Sequence, residues 1–366
     1  MYTRAFLSVA TLMGLTAVSL PAPAATYTAA CGGGGDVSII LNQLAVMTGP
    51  NNALTVTGTC IGELNIQGFN GLAITGLSLT GDVFVSASTH VSIAGATITG
   101  SVQSSDHTSL VLQDSTVNGF GQFMHESSIL GSNITFAAAG PGSAGSTSGI
   151  LCLSGSDCTF SNTTVTGSSS GDPTAPSIGV QIASASRFNF ESGRISGFDW
   201  GVHVWNHATA FFGPSCDTVS IDSNHSIGIY VRDGGLAKLE ALPLSSLSSS
   251  CPSGMLISNN GSYGLLAEGG GLGGLYRATV TGHAIDGVRV QDGSTVKVRS
   301  SSIDAATTSG RSARVKSNAH LWFDEEISGP SASSTLMGPV CVTGDSTVDT
   351  DNSSTTVRTT TKCLLP

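Results

Sequence analysis

"GELNIQGFNGLAITGLSLT" (Gly62–Thr80) is followed by "GDVFVSASTHVSIAGATIT" (Gly81–Thr99) and "GSVQSSDHTSLVLQDSTVN" (Gly100–Asn118). The blocks share few letters, yet each has 19 residues and opens on glycine. Leu64, Val83 and Val102 share the third position, and Leu72, Val91, Leu110 and Ile129 the eleventh. Ile74, Ile93 and Leu112 share the thirteenth, and Leu79, Ile98, Val117 and Phe136 the eighteenth. Gly121 and Gly131 interrupt two of these columns. Within a block the apolar residues come in pairs two apart, which is the alternation of a strand with one side inward. Each block reads as three very short strands with no helical stretch.

The fifteenth position holds Gly76, Gly95, Asp114 and Asn133. These residue types tolerate positive φ, as a tight corner between strands requires. One such coil cannot bury its apolar side alone. Stacking coils at ~4.8 Å pairs every strand in parallel and aligns the apolar columns inside. The fold expected is all-β: a single-stranded parallel β-helix of roughly a dozen coils. A leucine-rich repeat has a similar period but would need a helical return rich in Leu, which is absent here.

The second half keeps a looser version of the repeat. Its phrase is glycine followed by two apolar residues two apart: Gly179-Val180-Gln181-Ile182, Gly201-Val202-His203-Val204, Gly228-Ile229-Tyr230-Val231, Gly264-Leu265-Leu266-Ala267 and Gly287-Val288-Arg289-Val290. Asn224, Asn260 and His283 stand four residues before three of these glycines and are expected at left-handed corners. Gly/Ser/Pro-rich insertions are expected at 138–148 and 167–177, with a third after Leu239.

Bulk properties restrict the setting. Arg4, the apolar run Ala5–Leu20 and Ala22-Pro23-Ala24 have the order of a secretory leader over residues 1–24. No second apolar run is long enough to span a bilayer, so membrane insertion is not expected. The chain carries 14 Lys and Arg against 24 Asp and Glu, a net charge of −10, without a basic cluster. That balance argues against nucleic acid as a partner. Residues 25–52 are expected to cap the N-terminal end, 53–328 to form the β-helix, and the Ser/Thr-rich 329–366 to be a C-terminal extension.

All eight cysteines follow the leader, which favours disulfides in an oxidising compartment. Cys216 and Cys251 take nearly equivalent places on consecutive coils and are expected to bond. Cys152 with Cys158 would close a local loop, and Cys31–Cys60 and Cys341–Cys363 would tie down the two ends. No Cys-x-x-Cys pair suggests a metal site, and no metal or cofactor is expected. The expected location is secreted, periplasmic or cell-surface.

An exported chain in which "ALTVTGTC" (Ala53–Cys60) leads into three-strand coils with Asn at the corners resembles the right-handed parallel β-helix, or pectin-lyase-like, family. The resemblance spans about Ala53 to Gly329. It implies a right-handed helix and a choice of activities: polysaccharide lyases, glycoside hydrolases, esterases, tailspikes and adhesins. Fold alone does not select among them. Hydrolases of this kind imply paired Asp residues with Gly-His-Gly and Arg-Ile-Lys. The chain offers Gly282-His283-Ala284 and Arg314-Val315-Lys316, but Asn224 and Asn260 stand where carboxylates are needed and no Asp-Asp pair occurs. Inverting hydrolysis needs two facing carboxyl groups.

The densest recognition chemistry is Asp199, Trp200, His203 and Trp205, with Tyr230, Arg232 and Asp233 on the following coil and Arg289 farther along. Aromatic rings stack on sugar faces, and the polar groups can fix hydroxyls. The sequence reading is therefore a glycan-binding or surface/adhesion scaffold without an assembled catalytic set. The partner class is extracellular polysaccharide or cell-surface glycan. The alternative is a polysaccharide-active enzyme, a lyase or glycoside hydrolase. Trp322, beside Phe323, is expected to close the terminal core.

Overall fold

The structure, a computed structural model, describes residues 25–47, 49–138, 148–172, 174–213, 218–240, 254–305, 310–323, 334–350 and 356–357. Strand pairing is parallel and joins each coil to the next: Leu64 pairs with Val83, Val83 with Val102 and Val102 with Gly121. The chain is an all-β parallel solenoid with three faces. The first face is a sheet of twelve strands, one per coil, from Leu64–Gln67 to Val340–Thr343. The second runs from Thr26–Ala30 to Thr347–Thr350, and the third from Gly35–Asp36 to Thr356–Val357. Ser109–Val117 and Ser128–Ala137 pass unbroken through the corner between the last two faces and join them into one 26-stranded sheet. Twelve first-face strands at ~4.8 Å correspond to a stack of roughly 55 Å.

The corners explain the residues that repeat. Between the first and second faces, two consecutive residues are left-handed: Asp106-His107 at φ 59° and 59°, Asn206-His207 at 52° and 63°, and Gly269-Gly270 at 59° and 78°. Between the second and third faces a single left-handed residue suffices, at Gly76, Gly95, Asp114, Asn133 and Asn162. The polar members stack: Asn133 Nδ2 donates to Asp114 Oδ1 at 2.8 Å, and Asn162 Nδ2 to Asn133 Oδ1 at 2.6 Å.

Asn224, Asn260 and His283 differ from the sequence expectation. The positive φ belongs to the residue before each: Ser223, Asn259 and Gly282. The shift by one turns the three side chains inward, where all are buried. Asn224 Nδ2 donates to Asn260 Oδ1 at 2.9 Å, Asn260 Nδ2 donates to the Ile221 carbonyl at 3.1 Å, and both His283 nitrogens face carbonyls. This ladder accounts for the glycine phrase. A Cβ on Gly201 or Gly228 would lie 2.6 Å from the amide nitrogen of Asn224 or Asn260, and one on Gly264 2.7 Å from His283 Nε2.

The two glycine exceptions in the first half have an equally local cause. The core there passes from aliphatic residues to a run of phenylalanines, with Phe160 and Phe188 5.8 Å apart between ring centroids. A Cβ on Gly131 would lie 2.3 Å from Phe160 Cδ1, and one on Gly121 3.0 Å from the Phe123 and Phe136 rings.

At the N-terminal end a helix, Ser38–Val46, buries Ile40 and Leu44. The sequence reading gave no helix here. The Cys31–Cys60 disulfide fastens this end, and Cys152–Cys158 closes a short loop. The other two expected bonds, and the leader, involve residues outside the described ones. Past Gly329 the ladder continues, with Thr335, Arg314 and Trp322 pairing with Ser302, Cys341 and Asp349 respectively. Phe323 is buried but Trp322 is not the core plug expected: it points outward with Lys297 Nζ 4.2 Å from its ring centroid. Among the described residues no helix is long and apolar enough to cross a membrane.

Candidate functional site

The outward column anticipated on the first face is present. Gln181, His203, Tyr230, Leu266 and Arg289 are register partners on five successive coils. Trp205 follows His203 by two residues and so projects from the same side of its strand. The His203 ring lies parallel to Tyr230 (centroids 5.0 Å, 12°) and to Trp205 (5.8 Å, 6°). Trp200 meets His203 and Tyr230 edge-on at 5.2 and 5.0 Å. Edge-on and offset arrangements are the favourable ones for ring quadrupoles. His203 and Tyr230 are buried by this packing, while Trp200 and Trp205 keep part of their surface in solvent.

Arg232 covers the cluster. Its guanidinium lies 5.5 Å from both the Trp205 and Tyr230 ring centroids, and Nε donates to His203 Nε2 at 3.1 Å. Burial, and then the Arg232 charge, push the His203 pKa down to about 3. The imidazole is therefore neutral, with its proton on Nδ1. His203 Nδ1 and Trp205 Nε1 are both buried without a hydrogen-bond partner. Asp233, on the left-handed corner, places Oδ2 3.4 Å from Arg232 Nε.

Arg289 sits three coils beyond His203, joined to it through residues the sequence reading did not include. The Tyr230 hydroxyl donates to Glu268, which also accepts from Gln291 Nε2. Gln291 Oε1 accepts from Arg289 Nε at 2.9 Å, and Arg289 donates to the Tyr263 hydroxyl at 2.5 Å. Burial first, then the bond to Glu268, raise the Tyr230 pKa. Glu268 and Gln291 lie two residues after Leu266 and Arg289, so the same strand parity that exposed the column would have found them.

Asp199 takes a different place. Its carboxylate accepts from Ser169 Oγ, from Ser170 N and Oγ at 2.9 and 2.6 Å, and from Ser177 N and Oγ at 2.8 and 3.0 Å. It is a buried clasp on the loop before Ile178. These bonds hold its pKa well below the usual carboxylate range despite the opposing cost of burial. Four carboxylates of this face have partners: Asp199 the loop, Asp233 Arg232, Glu268 Tyr230 and Gln291, and Asp286 the Arg311 Nε at 2.7 Å, with Asp286 Oδ2 buried and unpaired. Among the described residues, no group of three or more His, Cys, Asp or Glu is placed to hold a metal ion.

Compared with protein-family models, curated proteins and solved structures, the chain matches none of them.

Proposed function

We propose that this is an exported binding or adhesion scaffold, of the pectin-lyase-like kind of β-helix, that takes a neutral face of extracellular polysaccharide or cell-surface glycan on its first sheet. The observation that carries the reading is the pairing of part-exposed Trp200 and Trp205 with Arg232, over a rigid layer of His203 and Tyr230. A pyranose ring stacks its C–H face on an indole, and rings fixed on a ladder lose little freedom on binding. The two disulfides support the extracellular setting.

A glycan array followed by calorimetry tests the reading, run beside assays for new reducing ends and unsaturated products. Expected are binding without turnover and loss of binding in Trp200→Ala with the fold retained. Product formation abolished in His203→Ala or Arg289→Ala would replace this reading with the polysaccharide-active enzyme. A folded protein that binds no glycan would overturn both.

A further inference from the structure

The corner between the second and third faces holds a polar hollow, on a different side of the rod from the aromatic cluster. The row of side chains stacked along this corner, Asp114, Asn133 and Asn162, stops there. Thr163 pairs with Gly193, so the place after Asn162 in the row falls to Ser192. Ser192 is buried, and its Oγ accepts from Asn162 N at 2.7 Å. Gly193 follows at φ 127°, where a Cβ would lie 1.9 Å from the Thr163 carbonyl oxygen. Neither residue continues the row outward, and a hollow of about 650 Å³ opens beside Asn162. The gap is thus built into the backbone and does not depend on one side chain's rotamer.

Its size is that of a small-molecule site, but its lining is not apolar. Ser161, Asn162, Thr164 and Thr218 bring hydroxyl and amide groups, and Glu191 and Arg194 bring charge. The two charges are not equivalent. Arg194 donates from Nε and Nη2 to Asp222 at 2.9 and 2.5 Å, and Ser220 and Ser223 donate to the same carboxylate at 2.6 and 2.9 Å. That cation is answered. The Glu191 carboxylate is half-buried and has no hydrogen bond or ion pair among the described residues. Asn162 Nδ2 is taken by Asn133, which leaves Asn162 Oδ1 as an open acceptor. The hollow therefore carries one unanswered negative charge among neutral hydrogen-bonding groups, and this selects its occupant. A half-buried carboxylate without a partner calls for a cation. A bare metal ion needs more anionic ligands than Glu191, and no group of three or more His, Cys, Asp or Glu is placed to hold one among the described residues. An aromatic or quaternary cation finds no ring in the lining. A plain alkyl amine leaves the hydroxyls and Asn162 Oδ1 unused. An ammonium group on a polyhydroxylated ring meets both needs: its N–H groups reach the carboxylate, and its hydroxyls pair with the amide and the threonine and serine hydroxyls.

We propose that this corner hollow binds a protonated amino sugar, with Glu191 as the partner of its ammonium group. The site is separate from the aromatic face and does not rest on the reading given for that face. Calorimetry on the full disulfide-bonded chain tests it with a glucosamine oligomer, the matching N-acetylglucosamine oligomer and spermine. Glu191→Gln is compared with Asp157→Asn, which removes an exposed carboxylate at the opposite end of the Ser161 strand, and with Trp200→Ala. Circular dichroism and thermal unfolding confirm that each folds. The native, Asp157→Asn and Trp200→Ala chains should bind the glucosamine oligomer alike, and Glu191→Gln about tenfold to a hundredfold more weakly. Binding should also fade at alkaline pH as the ammonium loses its proton, and the acetylated oligomer should not respond to Glu191→Gln. No binding of the glucosamine oligomer by the folded native chain, or equal affinity in Glu191→Gln, overturns the proposal. An equal loss in Asp157→Asn would reduce the effect to general attraction by an acidic protein. Spermine bound as tightly, and lost in Glu191→Gln, would make the site one for any amine. Loss in Trp200→Ala alone would assign the sugar to the aromatic face, which overturns this proposal and leaves the reading of that face standing.

Discussion

Arg232 donates from Nε to Nε2 of His203 at 3.1 Å, and the pair keeps a neutral imidazole inside a ring cluster. The His203 pKa is about 3 in the folded chain against 6.5 as the ordinary value. Above pH 6.5 neither state binds the proton, and stability is complete. As pH falls from 6.5 toward 3 the unfolded chain takes up a proton that the folded chain refuses. Stability then declines by up to about 1.4 kcal/mol per pH unit. Burial lowers His283 in the same direction. Urea unfolding across this range should show the slope, reduced but not abolished in His203→Gln. The His203 ring resonances should stay those of neutral imidazole from pH 8 to 4; a midpoint near 6.5 would refute the buried assignment.

Asp199 holds Ser169, Ser170 and Ser177 to the rod through its carboxylate. An amide in its place cannot accept all of these bonds. Asp199→Asn should cost about 1–3 kcal/mol and speed proteolysis between 168 and 176. The folded pKa is depressed, so this contribution is full above the ordinary carboxylate range, 3.8, and is lost as pH falls through the lower folded value. Equal cleavage rates for native and variant chains would show that the clasp does not hold the loop.

The first-half fold was legible because the 19-residue period preserves what physics constrains: inward apolar residues and left-handed corners. The outward column from Gln181 to Arg289 followed from the same parity. What parity could not supply was depth. Trp200, His203 and Tyr230 read alike as outward, yet packing among the rings buries two of the three. Asp199 looked like a recognition group because the serines it holds belong to an insertion with no periodicity. The corners stand one residue before Asn224, Asn260 and His283, a shift the sequence hides because Asn suits both a left-handed corner and an internal amide ladder. The helix Ser38–Val46 leaves no periodic signature, because it occurs once and belongs to no repeat.

Cys31 and Cys60 are 29 residues apart, whereas Cys152 and Cys158 are separated by 6. Chain entropy gives the longer loop about 3–4 kcal/mol and the shorter about 2 kcal/mol. The longer bond also ties Thr26–Ala30, whose pairing in the ladder is with Asn52–Thr57, to the rest of the rod. The double variant Cys31→Ser/Cys60→Ser should lose amide protection first over Thr26–Ala30 and the helix Ser38–Val46, with the central coils unchanged. Uniform loss of protection along the rod would mean that this end is not a separate opening unit.

Neighbouring asparagines provide the sharpest test of the internal ladder. Asn260 is fully buried: its Oδ1 accepts from Asn224 N at 3.1 Å and Nδ2 at 2.9 Å, and its Nδ2 donates to Ile221 O. Asn259 is exposed at φ 53° and supplies the corner. Asn260→Ala leaves buried donors and an acceptor without partners and should cost at least about 1–3 kcal/mol. Asn260→Asp keeps the acceptor but puts an unpaired charge in the core, and should cost more at neutral pH than the alanine. Asn259→Gly preserves the left-handed backbone and should stay within about 0.5 kcal/mol of native. Urea midpoints at pH 7 decide the matter. Had the corner fallen on residue 260, the order of the alanine and glycine effects would be reversed.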